Sequence, residues 1–222
     1  MAARSETVIW LRPEHAAVGR PAERSRAEIT AAAIELADGE GLDALSMRRL
    51  AATLGTGAAS LYRYVATRED LLDLMTDTTA AEFDLPAASG DWLADLLELA
   101  RQARGVMRRH PWLPALVIAR PVLGPHGAGA LEYVLDVLAD HPAPPDRKLE
   151  AFALLNALTA LFVQNELAAT AADAQRHVAY LQHIAAAGAH PRIAALLTTL
   201  IPSEQSDRFD AVLGLMLTAA LG

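Results

Sequence analysis

The 222-residue chain contains no cysteine, which excludes disulfide bonds and thiolate metal sites. Aromatic residues make up only 5% of it, and β-branched residues are sparse beside alanine and leucine, so the composition favours helices over sheets. No uninterrupted apolar run reaches the roughly 18 to 20 residues that a membrane span needs, and the first residues lack the apolar core of a signal peptide. These absences predict a soluble, cytoplasmic, nearly all-helical protein with no membrane partner.

Lysine is almost absent as well, because Lys148 is the single lysine among 19 basic residues, against 27 acidic ones. The resulting net charge of −8 disfavours nonspecific attraction to nucleic acid. Residues 44–68, however, contain four arginines and no acidic residue. A solvated basic helix face would explain this window, and so would a surface that binds phosphates.

The same window has the residue pattern of a helix-turn-helix. Ser46 can cap a first helix, Leu50 and Leu54 are four residues apart on its inner face, and Gly55 suits a turn with positive φ. Thr56 is the predicted cap of a second helix. A generic helical hairpin uses the same residue types, but the coincidence with the basic window favours a DNA-binding motif whose second helix enters the major groove.

Capping signals and helix breakers divide the rest of the chain into further helices. Ser25 and Thr67 are predicted N-caps, and prolines and glycines end most of the apolar periodic segments. The predicted architecture is all-α. A flexible N-terminal arm spans residues 1–23, a three-helix helix-turn-helix DNA-binding domain spans residues 24–70, and a larger helical bundle spans residues 71–222.

Two helices of the larger bundle carry more apolar surface than one small bundle readily buries. From Ala151 to Val163 only Asn156 and Thr159 are polar, and a final helix from about Ser206 is also rich in apolar residues. A four-helix interface between two copies would cover this surface, and packing in a monomeric core is the alternative. We expect a homodimer. Its interface is predicted to use Leu158, Phe162, Phe209, Val212, Leu213 and Met216.

The sequence does not indicate an enzyme. None of the seven histidines follows a glutamate by three residues, so paired Glu-x-x-His di-metal sites are excluded. Gly-x-Ser-x-Gly, P-loop and His-Glu-x-x-His motifs are missing too. His110, His126 and His141 lie at predicted helix ends, where capping or solvent exposure explains them. We therefore predict no catalytic residues, no metal ligands and no cofactor. A helical small-molecule-binding protein or an enzyme without a DNA function stays the alternative.

Several of these segments together resemble the TetR family of transcriptional regulators. Arg120-Pro121 and residues 147–167 are similar to the C-terminal domain of its tetracycline-repressor-like subgroup, and residues 9–14 resemble N-terminal extensions of actinobacterial relatives. The match to the family's DNA-binding domain lies in residues 32–37 (AAIELA), 41–51 (GLDALSMRRLA), 55–65 (GTGAASLYRYV) and 68–72 (REDLL).

The resemblance implies a homodimeric regulator, most often a repressor that a small molecule releases from a palindromic operator. It implies that Arg48 contacts a base, that Ala58 and Ala59 offer bases only apolar contact, and that Tyr62 contacts a phosphate. The larger bundle then serves ligand binding and dimerisation. The full predicted DNA-binding set is Arg48, Thr56, Ala58, Ala59, Ser60, Tyr62, Arg63, Tyr64 and Arg68.

The resemblance also implies a ligand pocket among the helices of residues 91–170. The tetracycline repressor chelates a magnesium–drug complex with histidine, which this chain lacks both between Thr67 and Asp84 and in the stretch before Arg120. An apolar or aromatic organic ligand is therefore expected, and magnesium–tetracycline is not. The candidate ligand-binding residues are Met107, Trp112, Leu116, Tyr133, Phe152, Asn156 and Thr159. Buried Asn156 and Thr159 need polar partners, which either a ligand or a second subunit could provide.

Overall fold

The computed structural model describes residues 7–13, 24–168, 171–199 and 205–222. All regular structure in these ranges is helical, so the all-α prediction is confirmed. Two short 3₁₀ helices, Ile9–Leu11 and Leu42–Ala44, accompany the α-helices. The α-helices are α1 (Arg26–Glu40), α2 (Met47–Thr53), α3 (Ala58–Leu61), α4 (Arg68–Ala80), α5 (Trp92–Arg109), α6 (Leu113–Ala119), α7 (Pro125–Val137), α8 (Pro145–Ala168), α9 (Ala171–Ala186), α10 (Pro191–Thr199) and α11 (Gln205–Leu221).

Local capping chemistry defines the N-terminal unit. The Ser25 hydroxyl accepts the backbone N–H of Glu28, which confirms Ser25 as the predicted N-cap of α1, and the Glu28 carboxylate accepts the N–H of Ser25 to complete a capping box. The helix ends at Gly41, whose φ of 83° is accessible to glycine at little cost. Ile29 and Ala33 on its inner face are fully buried.

Helix α4 joins the N-terminal unit to the larger bundle. A capping box between Thr67 and Asp70 starts it, which confirms Thr67 as the predicted cap. Its inner residues Leu71 and Met75 are fully buried in one hydrophobic core that contains side chains of α1 to α3 and also of α5, α6 and α8. The predicted domain boundary at residue 70 therefore falls within the first turn of a helix that both parts share.

The larger bundle is built around α8, which packs against α5, α6 and α11. Within the described ranges, α8 is the one helix whose length and composition would suffice to cross a membrane. Central helices of helical bundles have the same composition. Leu155 on α8 is buried in a second core together with Leu96 of α5 and with Phe209 and Leu213 of α11.

Helices α9 and α10 have no counterpart in the sequence predictions. They pack mainly against each other, and Val178 and Tyr180 on α9 expose 48% and 63% of their surface. The region is rich in alanine, which favours helical backbone.

Part of the predicted N-terminal arm is packed against the body of the protein. Ile9 is 1% exposed, and Arg12 forms an ion pair with Asp70 at the start of α4. Residues 7–13 therefore depart from the predicted flexible arm. Residues 1–6 and 14–23, which make up the rest of it, lie outside the described residues.

Candidate functional site

The helix-turn-helix is held together by a small apolar seam. Leu50 and Ala51 of α2 and Leu61 of α3 are all nearly or fully buried where the two helices meet. Gly55 lies in the turn with a φ of 63°, as the pattern predicted. The Ser46 hydroxyl accepts the N–H of Arg49 and caps α2, which confirms that prediction as well.

The start of α3 differs from the sequence prediction. Gly57, and not Thr56, is its N-cap, and no side chain bonds the first amides. Glycine at this position provides no side-chain acceptor, and the Ser60 N–H donates instead to the Gly57 backbone oxygen at 2.9 Å. The helix itself is a single turn of four residues, Ala58–Leu61.

One face of the motif presents a mixed arginine and tyrosine surface. Arg48, Ala59, Tyr62 and Arg63 are exposed, and Thr56, Ala58 and Ser60 are half-buried beside them. The Arg63 guanidinium donates to the Ser60 hydroxyl at 3.0 Å. The neighbouring Arg49 is paired with Glu40 on α1, whereas Arg48 points away from the core.

Two residues of the predicted DNA-binding set have other surroundings. Tyr64 is only 7% exposed, because its ring packs into the core shared by α1 to α4. Arg68 donates to the backbone oxygens of Leu42 at 3.2 Å and Leu45 at 3.4 Å. Tyr64 thus belongs to the core of the motif, and Arg68 ties the start of α4 to the segment before α2.

The larger bundle contains a partly open cavity of about 530 Å³ between α4, α5, α6, α7 and α8. Of the predicted ligand residues, Met107, Phe152 and Asn156 line it. The amide nitrogen of Asn156 donates to the backbone oxygen of Phe152 at 2.9 Å. Most of the wall is apolar, and the polar side chains in it are Thr76, Asp77, Thr79, Arg120 and Asn156.

The other four candidate ligand residues lie outside this lining. Leu116 is buried in the core shared with the helix-turn-helix, and Thr159 is fully buried with no hydrogen-bond partner for its hydroxyl within the described chain. Tyr133 packs beside the second core, which contains Leu96 and Phe209. Burial is the larger cause, and the nearby carboxylates the smaller one, that raises the pKa of its phenol. Trp112 donates its indole N–H to Asp38 of α1 at 2.7 Å.

Trp112 belongs to a polar cluster between the two parts of the chain, which the sequence did not predict. His110, 8% exposed, contacts Asp38 through Nδ1 at 2.8 Å and Glu82 through Nε2 at 2.9 Å. Burial opposes the charge on Glu82, but hydrogen bonds from Arg109 and His110 outweigh it, so the pKa of Glu82 lies below its usual value. His110 is the C-cap residue of α5, so its predicted place at a helix end is confirmed, but its side chain is buried in an interdomain contact and not exposed to solvent.

Two acidic side chains of α4 form hydrogen bonds to the end of α6 and to the start of α7, at the edge of the cavity. Asp73 accepts a hydrogen bond from Arg120 at 2.6 Å. Asp77, 5% exposed, accepts the backbone N–H of Gly127 at 2.9 Å and contacts Nδ1 of His126 at 3.1 Å, so it caps the start of α7. Sequence reasoning missed both contacts, although acidic residues at this spacing fall on one face of α4.

The predicted dimer-interface residues divide between core and surface. Phe209 and Leu213 are fully buried within the protomer, so they are not available to a second copy. Leu158, Phe162 and Val212 are half-buried, and Met216 is 39% exposed. Two neighbours that the sequence reasoning left out, Leu161 on α8 and Leu215 on α11, expose 48% and 70% of their surface.

This architecture agrees with comparisons of the sequence against known families. Residues 29–75 match bacterial regulatory proteins of the tetR family, and residues 85–219 match the tetracyclin repressor-like C-terminal domain. The chain belongs to the TetR family. Its members are bacterial regulators, so the resemblance identified in the sequence is confirmed.

Individual TetR-family relatives are similar over different lengths. The transcriptional repressor DrrR1 of Streptomyces coeruleorubidus is 47% identical over 112 residues, which cover 50% of this chain and 42% of DrrR1. A transcriptional regulator of Saccharopolyspora erythraea is 39% identical over 132 residues, covering 59% of this chain and 56% of the relative. The chain thus spans about half the length of these curated relatives.

Solved TetR-family structures are similar over most of the fold. ActR of Streptomyces coelicolor in complex with (S)-DNPA is 30% identical, with a TM-score of 0.79 over 90% of this chain and 98% of ActR. ActR was also solved with actinorhodin, at a TM-score of 0.78. A variant of TetR from Acinetobacter baumannii in complex with minocycline is 21% identical and shares the fold, with a TM-score of 0.66.

Proposed function

We propose that this TetR-family chain is a dimeric repressor that a small organic molecule releases from a palindromic operator. The observation that carries the proposal is the position of α4. Its first turn is bonded through Arg68 to the segment before α2, and its later turns, with Thr76, Asp77 and Thr79, form part of the cavity wall. A change in the cavity therefore acts on the same helix that orients the DNA-binding motif.

DNA reading is assigned to residues 24–70 and in particular to the exposed face of the helix-turn-helix. Arg48 is long enough for a bidentate contact to guanine, while the methyl groups of Ala58 and Ala59 fit against thymine methyls. Tyr62 and Arg63 suit phosphate oxygens and fix the register on the duplex. The buried Tyr64 and the backbone-bound Arg68 support this surface from behind.

Ligand binding and dimerisation are assigned to residues 71–222, with α4 shared between the two parts. The apolar wall of the cavity favours a largely apolar or aromatic ligand, for which Asn156 and Arg120 provide a few polar contacts. No histidine occurs among the cavity-lining residues within the described ranges, which argues against magnesium–tetracycline. The complexes of ActR with (S)-DNPA and actinorhodin support an organic ligand of this kind.

The proposed dimer interface joins α8 and α11 of two copies. Leu161, Leu215 and Met216 are large apolar side chains that stay exposed on adjacent helices of the protomer. A four-helix arrangement of α8 and α11 with their copies would remove them from water. Two motifs in one dimer then meet successive major grooves about 34 Å apart.

Ligand binding is proposed to favour a protomer arrangement in which the two motifs no longer have this spacing. A coupling of about 1–3 kcal/mol weakens operator binding by roughly 5- to 150-fold. We place such a regulator in the cytoplasm, where it meets DNA, and assign it no enzymatic activity and no membrane partner.

Selection of bound duplexes from a random DNA pool by the full chain tests the proposed DNA function. We expect enrichment of a palindrome whose half-sites lie about 10 base pairs apart, centre to centre, or at a multiple of that spacing. Enrichment of an unpaired half-site would contradict the dimer, and no enrichment would contradict DNA reading itself.

A further inference from the structure

The segment of residues 7–13, which precedes the helix-turn-helix, is bonded to it at one end. The Arg26 guanidinium on α1 donates to the backbone oxygens of Arg12 and Pro13, each at 2.9 Å, and of Ile9 at 3.3 Å. The same guanidinium donates to the backbone oxygen of Tyr64, just after α3, at 3.0 Å. One arginine thus joins the segment to the end of the second helix of the motif.

The segment continues along α4. The Arg12 side chain is paired with Asp70, which also accepts the N–H of Thr67 at 3.1 Å and so caps α4. Asp77 lies seven residues further along α4, about 10 Å away at the helical rise per residue. Arg12 and Trp10 are two residues apart in the segment, and their side chains reach Asp70 and the surroundings of Asp77 respectively.

The Trp10 end touches the wall of the cavity. A Cβ placed on Gly124 would overlap with both the Trp10 ring and the Asp77 carboxylate, so these three groups are in close contact. Asp77 caps α7 through Gly127, and both residues line the cavity. The ring of Trp10 therefore packs directly behind the wall that a ligand would touch.

We propose that Trp10 and Arg12 are positioning residues that carry the state of the cavity wall to the DNA-binding motif, in parallel with α4. An outward shift at Asp77 and Gly124 moves the Trp10 ring. Because Arg12 and the backbone oxygens of the segment are bonded to Asp70 and Arg26, the start of α4 and the end of α3 move with it. This inference rests on the proposed DNA-binding function.

The test perturbs one end of the segment and measures the effect at the other. Gly124→Ala introduces the overlapping Cβ at the cavity wall, and operator affinity is measured by fluorescence anisotropy on the duplex selected by the chain. We expect Gly124→Ala to raise the operator Kd about fivefold in the wild-type background and only about twofold in a Trp10→Ala background, where the overlap with Asp77 and the route along α4 remain. Equal effects in both backgrounds, or no effect in the wild type, would overturn the proposal.

Leu11→Ala is the matched control background, because Leu11 lies in the same short 3₁₀ helix but is 76% exposed. In this background the effect of Gly124→Ala on operator affinity is expected to keep its full size. If Leu11→Ala also reduced the effect of Gly124→Ala on operator affinity, any destabilisation of residues 7–13 would explain the result, which would contradict a specific role for Trp10.

Amide hydrogen exchange gives a second readout that needs no DNA. We expect Gly124→Ala to speed exchange of the Thr67 and Asp70 amides, which form the α4 capping box, more strongly in the wild type than with Trp10→Ala. This outcome without any operator binding would support the coupling while refuting the proposed function. If Gly124→Ala fails to fold, Trp10→Ala alone decides: unchanged exchange at Thr67 and Asp70 would overturn the coupling.

Discussion

Arg48→Ala is expected to weaken operator binding by about 1–3 kcal/mol, roughly 5- to 150-fold, for each half-site, and to relax the sequence preference at one base pair of each half-site. Arg48 is exposed on α2, whereas the adjacent Arg49 is held by Glu40. The side chains at the start of α3 are alanines, which cannot form hydrogen bonds with base edges. We therefore expect Arg48 to carry more of the base recognition than the second helix does.

The measurement is an affinity profile over operators with single base-pair changes, by fluorescence anisotropy at fixed salt. Arg147→Ala is the matched control, because Arg147 is an exposed arginine on α8 that pairs with Glu150 of its own helix at 3.0 Å. It removes the same charge without touching the motif and is expected to leave the profile unchanged. A uniform loss of affinity with Arg48→Ala, with no change in preference, would make Arg48 a phosphate contact.

Phe209→Ala is expected to lower the free energy of unfolding by about 3–5 kcal/mol. Phe209 is fully buried, and its ring packs edge-on against Phe162 at a centroid distance of 5.2 Å. The Arg104 guanidinium lies 4.8 Å from the ring centroid and is bonded to Glu166. Removing the ring leaves a cavity beside this partly buried ion pair. Urea unfolding followed by circular dichroism measures the loss.

Leu215→Ala on the same helix separates folding from dimerisation. Leu215 is 70% exposed, so its truncation is expected to change the unfolding of the protomer by less than about 0.5 kcal/mol. Sedimentation velocity should instead show weaker self-association. If Phe209→Ala impaired self-association and left unfolding unchanged, Phe209 would belong to the interface, as the sequence alone had suggested.

Most features set by local chemistry were predictable from the sequence, the cap of α3 at Gly57 instead of Thr56 being the exception. The caps at Ser25, Ser46 and Thr67 and the turn at Gly55 each depend on a few adjacent residues, and all four occur as predicted. The identity of the family follows from the same region, because its motif is short, contiguous and specific.

Features set by the facing of helices and by distant contacts were not predictable. α11 has apolar residues on several sides, so its sequence does not distinguish the inward Phe209 from the outward Leu215. Trp112 was predicted to line the pocket, but its indole N–H donates to Asp38, which lies 74 positions earlier in the chain and could not be paired with it from the sequence. The pairing of Arg12 with Asp70 spans 58 positions and leaves no local pattern.

The most direct test of the central claim is the operator Kd measured with and without a compound that occupies the cavity. Actinorhodin and (S)-DNPA are suitable first probes, and a compound counts as a cavity ligand if Ala130→Trp, which fills the cavity lining, abolishes its binding. The operator Kd is predicted to rise roughly 5- to 150-fold with such a ligand, and the operator should weaken ligand binding by the same factor. A cavity ligand that leaves the operator Kd unchanged would contradict the account.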